Sequence, residues 1–214
     1  MKHKIEKNTV QETLILPLYS RKLCTELYPN LYQDETAVRL IDEIDYDFSE
    51  AEKNSRSLMQ RFGALEVAMR QNDLAWEVRD YLKTHPSAAV VFASGVFYYF
   101  LTQQVKALVR GMADAFPGGE LVFDAANRTA VKMIAKTWLR TAKIKDVGAY
   151  FAVSDAKSEL SPWDSRLQVS SRGYMLGYTD LKDPSVNGFF RFLARVGDGM
   201  MKMQIVKIGF GGKL

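Results

Sequence analysis

A chain of 214 residues, 47% hydrophobic and 25% charged, has the composition of one folded domain with a sizeable core, which excludes bulk disorder. The formal net charge of +4 is spread along the chain without a basic stripe interleaved with aromatics, so nucleic acid is not an expected partner. Cys24 is the single cysteine, which excludes an internal disulfide and suits a reducing, cytosolic compartment.

The first third reads as helices. Thr9 and Glu12 have capping-box spacing ahead of Val10, Leu14, Leu18 and Tyr19 at helical intervals, and Pro17 should bend or divide that element. Asp34 is a plausible N-cap for a short apolar face of Ala37, Val38, Leu40, Ile41 and Ile44. Ser49 and Glu52 repeat the capping-box spacing before a long stretch with Leu58, Phe62, Leu65 and Met69. A further helix with Leu74, Val78, Tyr81 and Leu82 runs to a stop at His85 and Pro86.

The pattern then changes to apolar runs. Ala88–Val91 and Phe92–Tyr99 each carry a buried-strand signature. Thr102 is placed to cap a helix with an inner face of Val105, Leu108, Val109 and Met112. Pro117, Gly118 and Gly119 turn into a strand, Glu120–Asp124, and a helix follows over Thr129–Leu139. A loop-rich stretch around Ser161, Pro162 and Trp163, a strand or turn near Tyr174–Tyr178, a helix near Pro184–Val196 and a final strand, Met203–Phe210, close the chain. Helices first, then alternating strand and helix, indicate a single α/β domain: a helical cap over 1–86 and a sheet core with lobe insertions over 87–214. The polar stretch Met1–Lys7 has no apolar core of a signal peptide, and the longest apolar run, Ala88–Leu101, is short of the ~20 residues of a membrane span, so no membrane association is expected.

Three stretches, taken in order, resemble the leucine carboxyl methyltransferase and tetracenomycin-type O-methyltransferase family. They are Thr13–Arg21, with its basic residue at the end; Ala68-Met69-Arg70 followed by a helix ending in His85-Pro86 and an apolar strand; and Ala93-Ser94-Gly95-Val96-Phe97-Tyr98-Tyr99-Phe100-Leu101, then a helix, the Pro-Gly-Gly turn and Leu121-Val122-Phe123-Asp124. The resemblance covers most of the chain. It implies a Rossmann-like methyltransferase sheet of strand order 3-2-1-4-5-7-6, S-adenosylmethionine as cofactor, and a carboxylate or hydroxyl of a small molecule or peptide terminus as methyl acceptor.

The chain departs from the family where the cofactor should be held. The family runs its first strand into a glycine-rich loop, ends the second in an acidic residue for the ribose, and holds the adenine with a third stretch. Here Val91 is followed at once by Phe92, and no glycine loop or ribose carboxylate intervenes. Parallel strands need a crossover of a dozen or more residues. Either Ala88–Tyr99 is one long strand, or the segment between Val91 and Phe92 is missing, with the two residues at the ends of adjacent parallel strands. In the second case a sheet of order 1-4-5-7-6 remains, and that case is the expectation.

The resemblance puts Arg21 and Arg70 near the methionyl carboxylate, where a guanidinium makes a bidentate pair; the plain alternative is two surface helix arginines. Ser94 and Gly95 sit at a strand end, where open α/β sheets bind ligands, although a glycine also eases packing inside a strand. Tyr98 and Tyr99 are candidates for the substrate side or for the core. Asp124 and Asn127 follow the next strand as candidate substrate contacts, with Asn127 as a helix cap the stronger reading. Arg172, in Ser171-Arg172-Gly173-Tyr174, suits an anionic substrate or an exposed surface. The two histidines, His3 and His85, support no metal site and no histidine-activated nucleophile, and Cys24 reads as a small buried hydrophobe. No catalytic residue is assigned: direct displacement at a sulfonium needs alignment and exclusion of water more than acid–base groups. The rival reading is a non-catalytic remnant that binds a ligand or partner.

Overall fold

The computed structural model describes residues 2–6, 10–91, 94–134, 136, 148–177, 179 and 181–211. The elements in order are β1 (His3–Lys4), α1 (Val10–Leu27), α2 (Glu35–Glu43), β2 (Ile44–Asp45), α3 (Ser49–Asn54), α4 (Leu58–Thr84), α5 (Thr102–Ala115), β3 (Glu120–Ala125), α6 (Arg128–Ile134), α7 (Ala156–Leu160), β4 (Leu167–Gly173), α8 (Gly188–Gly199) and β5 (Gln204–Phe210). The chain is mixed α/β. No helix among the described residues is long and apolar enough to cross a membrane.

The helical part is organised by α4. It joins the two helices expected over 58–82 into one of 27 residues, capped by Ser57, whose hydroxyl accepts the Gln60 N–H at 3.2 Å. Ser49 starts only the short α3, so its spacing to Glu52 marks a separate element. Asp34 caps α2 as expected, accepting the Ala37 N–H at 2.9 Å, while Ile44 leaves the helix and pairs with His3 in a two-residue parallel bridge. Helix α1 runs through Pro17 without a break. Proline deletes one helical hydrogen bond, and the burial of Tyr19, Leu23 and Cys24 in the core shared with α4 outweighs that loss. Thr9 lies outside the described residues.

The sheet has three strands in the order β3-β5-β4, with β5 antiparallel to both neighbours, so β3 and β4 run parallel to each other. The final strand falls beside Leu121–Asp124 as its alternation requires. One face carries Phe123, Val206, Ile208 and Phe210 against Val105, Val109 and Ala113 of α5 and against Phe151 and Val153. The other carries Val122 and Ile205 into the core shared with α1, α4 and α8. Val206 and Ile208 are fully buried and Lys207 is half-exposed, which is the register expected. Strand β4 was not expected; of the strand or turn expected near Tyr174–Tyr178, the described residues form a bend after β4, with Tyr174 and Met175 buried.

Two expected strands, Ala88–Val91 and Phe92–Tyr99, are absent among the described residues. Ala88–Val91 has no regular structure, and Val91 is 95% exposed. Ser94 and Gly95 form a bend, and Phe97–Tyr99 a turn of 3₁₀ helix. Gly95, at φ +71°, adopts a backbone conformation foreign to strands, held by its own N–H donating to the Asp124 side chain at 2.7 Å. Phe92 and Ala93, and so the junction with Val91, lie outside the described residues. Thr102 does not cap helix α5 as expected: it is the first helical residue, and the Gln104 side chain accepts the Leu101 N–H at 2.8 Å.

Ile208→Ala removes a fully buried side chain from the sheet and should cost about 2–5 kcal/mol, read as a lower urea midpoint at unchanged slope. Leu108→Ala, on the exposed side of α5, should stay within about 0.5 kcal/mol of the parent.

Candidate functional site

Helix α4 lays a stripe of charge along the sheet. Glu66, Arg70, Asp73 and Glu77 recur at intervals of four, three and four, so they share one helical face. Arg70 meets Asp124 near the end of β3, its Nη1 donating to Oδ2 at 3.3 Å. The Arg70 side chain is 15% exposed and that of Asp124 1%. The second oxygen of Asp124 accepts the Gly95 N–H, and a Cβ added to Gly95 would meet the guanidinium at 3.6–3.7 Å. That is ordinary contact, so glycine is required there by its positive φ rather than by lack of room.

Two tyrosines and a second carboxylate complete the cluster. The Tyr174 hydroxyl donates to Glu66 Oε1 at 3.3 Å. Burial, then the charge of Glu66, pushes the Tyr174 hydroxyl well above the usual tyrosine range. Burial, then Asp124, does the same to Tyr98. Burial raises the Glu66 carboxyl against the pull of Arg70. Burial also disfavours the Arg70 charge, but the surrounding acids, Asp124 foremost, hold it above the ordinary arginine value. The guanidinium is therefore a fixed positive charge beside one deeply buried carboxylate, with a second within electrostatic reach.

The structure brings together Arg70, Gly95, Tyr98 and Asp124 from the sequence candidates, with Ser94 next to Gly95 and Tyr99 at the exposed rim. Three candidates lie elsewhere. Arg21 donates through Nε and Nη2 to Asp34 at 2.7 and 2.5 Å, tying α1 to the start of α2. Asn127 caps α6, accepting the Ala130 N–H at 3.0 Å while its amide donates to the Met200 carbonyl. Arg172 pairs with Asp73 and, at 3.3 Å, with Glu77, an internal role in place of an exposed one. Glu66 and Tyr174 were missed; the i,i+4 spacing of Glu66 and Arg70 was the available signal for the first. Cys24 is buried as expected, its thiol pushed up to about 12 by burial. Among the described residues no group of His, Cys, Asp or Glu is arranged to hold a metal ion.

Comparison with protein-family models, with curated proteins and with solved structures finds no match.

Removing one partner of the buried pair strands the other. Asp124→Asn and Arg70→Met should each destabilise by about 3 kcal/mol, and the Arg70→Met/Asp124→Leu double variant should recover part of that loss in urea unfolding. The Arg21–Asp34 contact gives a pH test. Burial alone would raise the Asp34 carboxyl, but the Ala37 N–H, then Arg21 and Tyr32, hold it below the usual aspartate range. Its contribution is therefore present above the unfolded pKa of about 4 and is lost as pH falls through the lower folded value. The stability difference between the parent and Asp34→Asn should shrink when unfolding is measured at successively lower pH below about 4.

Proposed function

We propose that this chain is a domain of the S-adenosylmethionine-dependent O-methyltransferase type, acting on a carboxylate or hydroxyl of a small molecule or peptide terminus. In this reading the Arg70 cluster takes the α-amino acid end of the cofactor. The observation that carries it is the sheet. The order β3-β5-β4, with the middle strand reversed, corresponds to the 5-7-6 part of the order that the resemblance implies, and Leu121–Asp124 occupies the place of strand five. Strand order and direction follow from packing and connection rules, so their agreement is support independent of the motifs.

The cluster fits one end of the cofactor. An α-amino acid carries a carboxylate and an ammonium on the same carbon, and Arg70 beside Asp124 is the complementary pair. Their contact of 3.3 Å is looser than the 2.5–2.7 Å of Arg21 with Asp34, so a zwitterion that replaces one ion pair by two gives up little. Gly95 brings backbone to the same point. The cofactor would supply an activated methyl on sulfur; the chain's part is to orient it and keep water out.

The residues do not fit the nucleoside end: Ala88–Gly95 contains no acid and no glycine-rich loop. This observation, with the irregular and exposed Ala88–Val91, favours a second reading in which the fold is a non-catalytic remnant binding an amino-acid-bearing ligand or a partner.

Calorimetry with S-adenosylhomocysteine tests both. The proposal expects saturable heat at one site, weakened about thirtyfold by Arg70→Ala, the equivalent of about 2 kcal/mol for a lost charge-assisted pair. Asp124→Asn should weaken binding too, because the ammonium loses its partner. Tighter binding by that variant would mean that Asp124 only competes for Arg70. Heat with homocysteine but none with S-adenosylhomocysteine would select the second reading, and silence with both would remove the cluster as a site.

A further inference from the structure

Helix α8 carries two apolar stripes, and the core accounts for only one of them. Phe190, Ala194 and Gly197, spaced four and three apart, are buried against the domain. Phe189, Phe192, Val196 and Met200, spaced three, four and four apart, form a second stripe along the flank of the helix. Phe189 is 51% exposed, Phe192 57% and Met200 67%, while Val196 is half-buried. Side chains so exposed stabilise the fold little, and as one stripe they form a patch rather than scattered surface residues. We propose that this ridge docks on an anionic lipid bilayer, its apolar side chains at headgroup depth and its basic border against the charged headgroups. This inference does not rest on the methyltransferase reading.

Charge decides the sign of the partner. Arg195 lies beside the middle of the ridge and Lys202 two residues beyond Met200, and both are exposed. Asn127 donates its side-chain amide to the Met200 carbonyl at 2.8 Å and its backbone N–H to the Met201 carbonyl at 3.0 Å. That contact brings the start of α6, with exposed Arg128, to the same end of the ridge. None of these three cations is paired with a carboxylate among the described residues. Arg191 directs its guanidinium to the Leu181 and Asp183 carbonyls. The acids of this region are held locally: Asp198 accepts the Met175 and Leu176 N–H groups at 2.9 Å each, and Asp183 accepts from Ser185. The ridge is therefore bordered by positive charge.

Area and symmetry favour a bilayer over a protein. The three exposed side chains present on the order of 300 Å² of apolar surface, the size of a functional patch but well under the ~800 Å² per partner of a stable protein interface. A second copy would pair identical ridges about a two-fold axis, which sets Arg195, at mid-ridge, against its own symmetry mate. A bilayer requires only a few apolar side chains at the interface and cations for its anionic lipids. The expectation of no membrane association rested on the lack of a spanning run, and a 12-residue helix lying flat in the interface needs none.

The test is co-sedimentation of the full chain with vesicles of phosphatidylcholine alone or with about 30% phosphatidylserine, at low and at about 0.5 M salt. The anionic vesicles should bind about tenfold tighter, and the higher salt should remove most of that preference. Phe189→Ser/Phe192→Ser should lose binding to both vesicles, and Arg195→Glu/Lys202→Glu should lose only the preference for the anionic ones. Both variants should melt as the parent does, because each side chain is exposed. Equal binding of the parent to the two vesicles, no sedimentation with the anionic ones, or unaltered binding by either variant would overturn the proposal. A dimer in light scattering that Phe189→Ser/Phe192→Ser dissolves would assign the ridge to a second copy and overturn it as well.

Discussion

The contact between Arg70 and Asp124 couples the two halves of this protein. One residue belongs to the longest helix of the N-terminal part, the other to the end of a sheet strand 54 positions later, and the pair is almost sealed from water. An arginine so placed remains charged, and an isolated buried charge is among the most expensive features a fold can carry. The surroundings must therefore supply acids, and Asp124, Glu66 and the backbone turn at Gly95 follow from that requirement. Docking of α4 on the sheet in another register would leave the guanidinium unanswered, so the pair fixes the register as well as the contact.

The same helix shows how polar and apolar demands share one surface. Ala64, Leu65, Ala68 and Met69 fill the core with α1, while Glu66, Arg70, Asp73 and Glu77 cross the sheet. Asp73 and Glu77 are met by Arg172 of β4, and Glu77 and Glu120 by Lys207 of β5. Each strand thus offers this helix one partner of defined sign: Asp124 from β3, Lys207 from β5, Arg172 from β4. Buried ion pairs contribute less to stability than to the choice of one packing arrangement over its alternatives, and a stripe that alternates acid, base, acid, acid tolerates no slip along the helix axis. The opposite face of the sheet is sealed by Phe123, Phe151, Val206 and Ile208. It needs no such addressing, because α5 presents the apolar side chains of Val105, Val109, Met112 and Ala113 there.

What could be read from the sequence followed the strength of local periodicity. The final strand and its partner were legible because Val206, Ile208 and Phe210 alternate with residues of different character, and the caps at Asp34 and Asn127 because a short acceptor side chain at that position has few other uses. Strand β4 was harder: Ser170, Ser171 and Arg172 dilute its apolar side, and Arg172 is paired with partners distant in sequence. The cluster was legible in part. Arg70, Gly95, Tyr98 and Asp124 were reached through motifs, but Tyr174 enters from a bend after β4 that carries no local signal. Arg21 had a carboxylate thirteen residues away that satisfied it first.

The segment Pro86–Val105 marks the limit of periodicity as a guide. It contains no charged residue, and a run of that composition normally signals an element buried on both faces. Yet Val90, Val91, Val96, Tyr99, Phe100 and Leu101 are all exposed. Burial needs a partner as well as an apolar sequence. On the β5 side, β3 has a strand; on its other side Ala89–Val91 runs past Glu120 and Val122 across an open cleft, and Gly95 meets Asp124 through a side chain instead of a strand ladder. Neither of these described stretches joins the ladder of β3. A parallel strand here would need a further neighbour to cover its outer edge and a helix over each face, and the described residues between α4 and α5 supply no element for that position. The apolar character of the segment is that of a central strand, and its described residues, with nothing beyond them, are irregular, bent or 3₁₀-helical instead.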